Sequence, residues 1–320
     1  MSDRTSLDIL VIHNPVAGRR RRRRLHGLLR HLENRGHRLR VRITRAAGDA
    51  REHARLAEEV DVIVAAGGDG TMSEVVDGLM AKPADAVLPR VAFLALGTAN
   101  VLAWELDLPR RPAVLARLIE EGRALLIRPG IANGRRFLLM ASVGLDARAV
   151  AAVKTLVKRW FGAAAYVLAA ANVISQPPPR LTVEIDGRPM EASLVIVARS
   201  RRYGGPFSLT PDAGIARPTF QVVALHRHGL GPALAYGLAL ARGRLHLRPD
   251  VSVVAAHAVH LLADGDEPWQ IDGDAAGSLP LVVTLDDRWV GLVAGRRALA
   301  DAEKIFEQSG VCIEKIERTY

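Results

Sequence analysis

A glycine-rich segment, Gly67-Gly68-Asp69-Gly70-Thr71, carries the residues best suited to bind a phosphate group. The apolar residues at 62–66 predict a buried strand before it, and the apolar spacing from residue 72 onward predicts a helix after it. Glycines let backbone N–H groups approach a ligand, and a helix N-terminus favours an anion. A carboxylate beside phosphates is repulsive unless a cation bridges them, so Asp69 indicates a metal–nucleotide site. The alternative is a turn capped by Asp or Thr, without a ligand.

A second pair of carboxylates, Asp272 and Asp274, flanks Gly273 towards the end of the sequence. Asp-Gly is a common hairpin turn, and the same dipeptide occurs at 186–187 and 264–265. The functional interpretation makes one aspartate a general base and the other the residue that orients a metal or a hydroxyl group. From these residues alone, both interpretations stay open.

The elements around the glycine segment alternate between strand and helix. Strands are predicted at 8–13, 39–44, 62–66 and 91–96, with helices following each of them and a further helix near 112–121. This order predicts a doubly wound, mainly parallel sheet with helices on both faces. Polar or glycine-containing turns follow all four strands, at 14–18, 44, 67–71 and 97–100. Because ligands bind outside the carboxyl ends of parallel strands, we expect these turns to share one crevice.

Beyond residue 130 the pattern changes to short strands separated by turn residues. They are predicted at 137–142, 181–185, 190–199, 220–225, 251–256, 259–263, 269–271 and 281–285. Helical sequence at 147–175 is ended by prolines at 177–179. We therefore expect an α/β domain over 1–129, an antiparallel β-sandwich over 130–297, and a charged helical tail over 298–320 that packs back on the first domain.

Composition narrows the class of protein. The 320 residues are 49% hydrophobic and 24% charged, as expected of a folded domain protein. A lone cysteine, Cys312, excludes an intramolecular disulfide and fits a reducing cytoplasm. Because the first predicted strand begins within a few residues, we expect no signal peptide, and the apolar run at 163–174 is too short to span a bilayer.

The basic character of the chain is concentrated in six consecutive arginines at 19–24, within a net charge of +10. This run opens an amphipathic helix. It is interpreted as a solvated helix face, an anionic membrane contact or a nucleic-acid contact. Aromatic residues make up only 4% of the chain and none interrupts the run, so base stacking has little support.

Taken in order, five segments match one known family. They are Asn14-Pro15 with Gly18, Thr44, the glycine segment 67–71, Leu96-Gly97-Thr98-Ala99-Asn100, and Asp272-Gly273-Asp274. The chain resembles the diacylglycerol kinase catalytic-domain family, which includes sphingosine and ceramide kinases and bacterial lipid kinases. Two further matches are the segments 142–147 and 203–206. The resemblance spans about residues 7–290 and implies an NAD-kinase-like α/β domain followed by the sandwich.

The resemblance implies an ATP- and Mg²⁺-dependent kinase that transfers the γ-phosphoryl group to a lipid hydroxyl, diacylglycerol-like or sphingoid-like, in the interdomain cleft. The implied nucleotide-binding residues are Asn14, Pro15, Val16, Ala17, Gly18, Thr44, Gly67, Gly68, Asp69, Gly70, Thr71, Met72, Ser73, Gly97, Thr98 and Asn100. Asp69 is the implied metal ligand, and Asp69, Asp272 and Asp274 are the implied catalytic residues. We expect a cytoplasmic protein that acts in phospholipid metabolism at the inner membrane face. Its expected partner is an anionic membrane surface, and no nucleic acid is expected. A homodimer is a possible assembly.

Three positions depart from the family pattern. Asp274 stands where the family has glutamate, which shortens the reach of the proposed base by roughly 1.5 Å. Val101 replaces an aspartate that commonly follows Asn100. Arg217 stands where bacterial members have an aspartate that in some relatives helps bind a structural Mg²⁺, and we hypothesise that its guanidinium takes the place of that cation.

Two other functions compete with the lipid kinase. A nucleotide or lipid sensor of the same fold would follow if Asp274 did not support catalysis. An NAD kinase has a similar Gly-Gly-Asp-Gly core, but the Asn-Glu dipeptide and the Leu-Gly-Phe segment of that family are absent from this sequence.

Overall fold

The computed structural model describes residues 6–18, 22–156 and 180–309. The chain divides into two compact units. The first contains the described residues up to Arg128 and those from Asp287 onward, and the second runs from Pro129 to Asp286. Each unit has its own sheets and its own hydrophobic core.

The first unit is a three-layer α/β structure. Its strands are β1 (Asp8–His13), β2 (Arg38–Ile43), β3 (Val62–Gly67), β4 (Arg90–Ala95), β5 (Ala124–Ile127) and β20 (Val290–Val293). Its helices are α1 (Arg22–Glu33), α2 (Asp49–Arg55), α3 (Asp69–Met80), α4 (Val101–Glu105), α5 (Pro112–Glu121) and α8 (Arg296–Ser309).

The sheet of the first unit has the order β2-β1-β3-β4-β20-β5. Strands β1 to β4 are parallel, β20 is parallel to β4, and β5 is antiparallel to β20. All six residues of β3 are buried because helices cover both faces of the sheet. On one face Leu25, Leu28 and Leu32 of α1 pack with α5 against alternate strand residues, while α2 and α3 contact each other and the strands from the other face.

The second unit is built from antiparallel strands. They are β6 (Gly130–Ala132), β7 (Arg135–Phe137), β8 (Met140–Gly144), β9 (Leu181–Ile185), β10 (Arg188–Ala192), β11 (Leu194–Ala198), β12 (Arg202–Tyr203), β13 (Phe207–Ser208), β14 (Phe220–Leu225), β15 (Val251–Ala256), β16 (Val259–Ala263), β17 (Pro268–Ile271), β18 (Asp274–Ser278) and β19 (Leu281–Leu285). The described helices are α6 (Leu145–Leu156) and α7 (Leu230–Ala241), with a 3₁₀ turn at Leu245–Leu247.

Two six-stranded sheets form a sandwich, in the orders β10-β9-β16-β19-β6-β7 and β15-β14-β11-β8-β17-β18. Their inward-facing residues share one core, in which the rings of Phe137 and Phe220 stack with centroids 6.1 Å apart. An α/β unit with a mainly parallel sheet and an antiparallel sandwich are the two architectures predicted from the sequence. The fold class is therefore confirmed.

Some element boundaries differ from the prediction. The segment predicted as one strand at 137–142 contains the end of β7 and the start of β8, which lie in different sheets. The sandwich was expected to continue to residue 297, whereas the structure returns to the first unit at Asp287 because β20 pairs with β4 and β5. Helix α8 belongs to the same first unit, and the ring centroids of its Phe306 and of Trp289 are 6.4 Å apart.

Part of the predicted helical sequence at 147–175 is α6. The apolar run at 163–174 and the prolines at 177–179 lie outside the described residues. Among the residues that are described, no helix has both the length and the apolar character needed to cross a bilayer.

A buried arginine supports the second unit. Arg199 is 1% exposed, and its guanidinium donates to the backbone oxygens of Arg217 at 2.5 Å and Thr219 at 3.2 Å, and also to that of Ile215. The same group lies over the Phe220 ring, 5.8 Å from its centroid. The guanidinium that binds the 215–219 loop is thus Arg199, whereas Nε of Arg217 is buried with no hydrogen-bond partner in the described structure.

Replacing Arg199 with methionine should destabilise the second unit by about 3 kcal/mol, because loop carbonyl groups lose their charged donor. Urea unfolding followed by circular dichroism measures this loss. The matched control is Arg188→Met on the exposed β10 strand, which should stay within about 0.5 kcal/mol of the parent. Equal stability of the two variants would show that the buried guanidinium does not support the loop.

Candidate active site

The carboxyl edge of the parallel sheet is where three backbone segments approach closely. Strand β3 ends at Gly67, and Gly68, in extended conformation, is the N-cap of α3. A Cβ on Gly67 would lie 2.3 Å from Oγ1 of Thr71, and one on Gly97 would lie 2.7 Å from Cα of Gly68. Gly18, whose φ is +63°, has its Cβ position 2.0 Å from the backbone oxygen of Leu96. Only glycine fits at these positions, because neighbouring protein atoms already fill the space that a side chain would take.

Side chains fasten the first loop to the glycine segment. Nδ2 of Asn14 donates to Oγ1 of Thr71 at 3.2 Å, and Oδ1 of Asn14 accepts the N–H of Val16 at 3.0 Å. The N–H of Asn14 also donates to the backbone oxygen of Ala66 at 3.0 Å. Residues 14–18 are therefore held beside the start of α3.

Thr44 follows β2 at the same edge of the sheet. Its N–H donates to the backbone oxygen of His13 at 2.9 Å, and the residue is buried. Since β1 pairs in parallel with both β2 and β3, the ends of these strands lie at one level. The nucleotide-binding candidates from all four predicted turns thus lie along a single edge of the first unit.

Asp69 has a structural role that the sequence does not reveal. Its Oδ2 accepts the N–H of Val101 and its Oδ1 accepts the N–H of Leu102, both at 3.0 Å. Helix α4 begins at Val101, and no side-chain cap comes from its own N-cap residue, Asn100. Asp69 therefore supplies the cap of α4 from another element and fixes the 97–100 loop beside the glycine segment.

The carboxylate of Asp69 can still bind a cation, because each carboxylate oxygen has two acceptor positions. Among the described residues, no cluster of three or more His, Cys, Asp or Glu side chains is arranged to hold a metal. Mg²⁺ usually takes one or two protein carboxylates and completes its shell with phosphate oxygens and water. The Asp69 carboxylate at this edge is compatible with that mode of binding. On its own it provides too few ligands for a metal site formed by protein groups alone.

Asn100 provides an observation that bears on a nucleotide. Its Nδ2 donates to the backbone oxygen of Gly97 at 2.7 Å, while its Oδ1 is buried without a hydrogen-bond partner in the part of the chain that is described. A buried acceptor without a donor costs about 1–3 kcal/mol. A ligand with amino or hydroxyl groups removes this cost, and a nucleoside carries both.

The second aspartate motif forms the hairpin turn between β17 and β18. Asp272 and Gly273 have φ values of +50° and +88°, as the turn requires. The carboxylate of Asp272 accepts three backbone N–H groups, those of Leu138 at 2.9 Å, Leu139 at 2.8 Å and Met140 at 3.1 Å. Asp272 therefore anchors the turn to the start of β8, and the exposed Asp274 follows directly after it.

A buried polar network reaches the same turn. Oε1 of Gln270 accepts the N–H of Gly273 at 2.7 Å, and Nε2 of Gln270 donates to Oγ of Ser142 at 2.7 Å and to Oδ2 of Asp146 at 3.1 Å. Ser142 donates to the same carboxylate oxygen at 2.7 Å. Burial raises the pKa of Tyr203 well above its ordinary value, and the hydrogen-bonded Asp146 carboxylate raises that pKa further.

This network gives a structural role to two segments that match the family and whose role the sequence does not show. Ser142 and Asp146 belong to the 142–147 segment, and Tyr203 opens the 203–206 segment. Gln270, which joins them to the turn, was not predicted, since an isolated glutamine in a strand carries no sequence signal. The structure thus gathers the nucleotide-binding candidates in the first unit and places Asp272 and Asp274 in the second.

Comparison with known proteins gives consistent matches along the chain. The diacylglycerol kinase catalytic domain matches residues 8–130, and the YegS C-terminal NAD kinase beta sandwich-like domain matches residues 140–294. The diacylglycerol kinase of Bacillus subtilis (strain 168) is 30% identical over 279 residues, covering 84% of this chain and 90% of the relative. The diacylglycerol kinase of Staphylococcus aureus (strain MRSA252) is 29% identical over 277 residues, with 84% and 87% covered.

Solved structures agree on the fold. The crystal structure of a diacylglycerol kinase from Bacillus anthracis str. Sterne superposes with a TM-score of 0.71 at 20% identity, covering 92% of this chain and all of the other. A second structure from that organism gives a TM-score of 0.76 at 22% identity, with 93% and 98% covered.

The family and relative matches define a lipid kinase, a phosphotransferase with an alcohol group as acceptor. The chain belongs to the diacylglycerol kinase catalytic-domain family.

Asp69→Ala should destabilise the first unit by about 1–2 kcal/mol, because α4 loses its cap. Asp69→Asn keeps one acceptor oxygen but turns an NH2 donor towards the other backbone N–H, so it should lose stability as well. Thermal unfolding of the two variants beside Asp85→Ala, an exposed aspartate of the same unit, measures the difference. If Asp69→Ala is as stable as Asp85→Ala, the contacts with Val101 and Leu102 do not hold the loop.

Proposed function

We propose that the protein transfers the γ-phosphoryl group of ATP to the primary hydroxyl of a diacylglycerol-like lipid, with Mg²⁺ as the cofactor. The observation that carries the proposal is the carboxyl edge of the parallel sheet, where close packing at Gly18, Gly67 and Gly97 brings glycine-containing loops together. Such backbone, next to the N-terminus of α3, is suited to polyphosphate. A sphingoid base is the alternative acceptor.

In this proposal the glycine segment donates backbone N–H groups to the phosphates, and the residues predicted around it enclose the nucleotide. Asp69 would hold the magnesium ion, which would offset the negative charge of the phosphates. Oδ1 of Asn100 accepts a hydrogen bond from the nucleoside. The loop that carries Asn100 is in turn positioned by Asp69 through α4.

The β-sandwich unit is the proposed acceptor domain. The lipid hydroxyl oxygen forms a bond to the γ-phosphorus as the bond between that phosphorus and the β–γ bridging oxygen breaks, and the hydroxyl proton passes to Asp274. Asp272 acts as a positioning residue, because its carboxylate accepts three backbone N–H groups. Asp274 is exposed, and it is the proposed base of the two.

Asp274→Asn should lower kcat by about 10²- to 10⁴-fold, since the base is lost. Asp274→Glu, which restores the family residue, should retain or raise activity. Transfer of labelled γ-phosphate from ATP to dispersed diacylglycerol measures both, with Asp264→Asn as the control at another exposed Asp-Gly pair. Full activity in Asp274→Asn would remove Asp274 as the base. Nucleotide binding without transfer to any lipid, in the parent, would favour the sensor.

The arginine run is the proposed electrostatic contact with an anionic membrane, at the inner membrane face. Arg22 and Arg23 are exposed at the start of α1. Arg24 has a different role, because its Nη1 donates to the backbone oxygen of Ala95 at 2.6 Å and its Nε to that of Arg110 at 3.1 Å. Positions 19–21 lie outside the described residues. A homodimer also remains a prediction.

Replacing the arginines at 19–23 with glutamine, while keeping Arg24, should weaken binding to phosphatidylglycerol vesicles by about 1 kcal/mol for each well-placed charge. Vesicle sedimentation at low and high salt measures this effect, and the parent's advantage should shrink at high salt. Arg24→Gln alone is the control, and it should lower stability more than vesicle binding. Unchanged binding after replacement of 19–23 would remove the run from the membrane contact.

A further inference from the structure

Helix α7 has a composition that its exposure does not explain. Its sequence, LGPALAYGLALA, contains no charged residue. Yet of its residues only Tyr236 is buried, while Leu230 is 61%, Leu234 66% and Leu238 53% exposed. A helix on the surface of a globular protein usually carries polar residues on its outer face, and a helix that is apolar all round is usually buried. Helix α7 fits neither description, because it is apolar and yet lies at the surface.

The three leucines form a continuous stripe. They are spaced by four residues, so their side chains follow one another along one face of the helix over about 12 Å. Leu247, in the 3₁₀ turn that follows α7, is 69% exposed. A contiguous apolar surface of this kind marks an interaction site on a soluble domain.

The opposite side of α7 faces the rest of the second unit, where it forms hydrogen bonds through Tyr236 and borders a cavity. The Tyr236 hydroxyl accepts the N–H of Arg227 at 3.2 Å and donates to the backbone oxygen of Asp250 at 3.4 Å. Ala233, Gly237 and Leu240 line an apolar cavity of about 140 Å³ rather than a filled core. Tyr236 is thus the one buried residue of the helix, part of which borders a cavity, and the leucine stripe lies on the exposed side.

Charge around the helix indicates what covers the stripe. Residues 226–249 contain four arginines and three histidines and no acidic residue. Arg227 precedes the helix, Arg242 and Arg244 follow it, and all three are exposed, whereas Arg248 is paired with Asp250 at 2.8 Å. Basic residues at both ends of an apolar helix can contact lipid phosphates while its exposed leucines enter the apolar part of an anionic membrane.

A second copy of the chain fits this surface less well. In a two-fold dimer the same patch contacts itself, so the arginines at the ends of one helix would lie against arginines of the other. Like charges facing each other oppose association, whereas lipid phosphates neutralise them.

We propose that α7 is an interfacial helix, with the Leu230, Leu234 and Leu238 stripe inserted among the lipid chains of an anionic leaflet and the flanking arginines contacting lipid phosphates. The inference rests on the proposed function in one respect, namely that the substrate is a membrane lipid. It is separate from the arginines at 19–23, which belong to the other unit.

The first test compares Leu234→Gln with Leu262→Gln, an exposed leucine of β16 in the same unit that is 49% exposed. Partitioning of the full chain onto vesicles of phosphatidylcholine with phosphatidylglycerol is measured by sedimentation, without ATP or diacylglycerol. Leu234→Gln should lower the partition coefficient by about tenfold, and Leu262→Gln should leave it unchanged. Equal partitioning of the two variants would overturn the proposal.

A second measurement reports insertion directly. In a Cys312→Ser background, an environment-sensitive fluorophore is attached at Leu234→Cys, or at Leu262→Cys as the control. Anionic vesicles should shift the emission of the Leu234→Cys label to the blue, and nitroxide-labelled lipid chains should quench it, with no change at Leu262→Cys. An unchanged spectrum at Leu234→Cys would overturn the proposal, as would a change in oligomeric state of Leu234→Gln without a change in vesicle binding.

Activity separates this proposal from the proposed function. With a short-chain diacylglycerol dissolved in water, Leu234→Gln should match the parent, and with diacylglycerol in anionic vesicles it should be slower. If the protein phosphorylates no lipid at all, vesicle partitioning and the fluorophore still report on α7. If Leu234→Gln matches the parent on both substrates, the role of α7 fails while the kinase stands.

Discussion

The close approach of backbone segments at the carboxyl edge of the parallel sheet is the constraint on which the first unit depends. The Cβ positions of Gly18 and Gly97 are taken up by atoms of neighbouring segments, and that of Gly67 by Thr71 of its own segment, so a side chain at Gly18 or Gly97 would separate the loops. Close contact also brings Asp69 to the start of α4, where its carboxylate accepts two backbone N–H groups. The packing of the loops and the start of α4 therefore depend on each other. Both are possible because strands β1, β2, β3 and β4 end at the same level of the sheet.

Carboxylates that accept backbone N–H groups recur through the molecule. Asp69 and Asp272 do so at the two motifs, and Asp186 does so at another hairpin, where the N–H groups of Ala258 and, to a lesser extent, His257 lower the pKa of Asp186 below its ordinary value. At each place a charged side chain stands in for missing secondary-structure hydrogen bonds. An aspartate beside glycine in the sequence is thus compatible with anchoring and with catalysis, and in this structure Asp69 and Asp272 anchor loops.

The sequence was sufficient for most of the fold, since local patterns carry it. Strands β1, β9, β14, β15, β16 and β19 have the predicted bounds because their apolar residues alternate or run continuously between turn residues. Strand β20 was missed because Val-Gly-Leu-Val has no periodicity of its own, and its pairing with β4 and β5 joins positions distant in the chain. Helix α7 was missed because an apolar run with two glycines resembles neither an amphipathic helix nor a strand.

Gln270 and Arg199 escaped prediction for a different reason. Their roles come from burial and from partners far away in the sequence, such as Ser142 for Gln270, and neither is visible as a motif.

The turn that carries Asp274 is defined by groups other than the Asp274 side chain. Asp272 fastens one end of the turn to β8, and Gln270 holds the N–H of Gly273 through a network that includes Asp146. The backbone position of residue 274 is therefore set by its neighbours, and the difference between aspartate and the family's glutamate reduces to the reach of one side chain. If Asp274 is the base, as proposed, its shorter carboxylate is offset by the position of the acceptor hydroxyl rather than by the turn, which is held by its own hydrogen bonds. In the proposed mechanism the choice of acceptor lipid is therefore tied to Asp274, because a hydroxyl on a longer or more mobile headgroup would close the distance that the shorter side chain leaves.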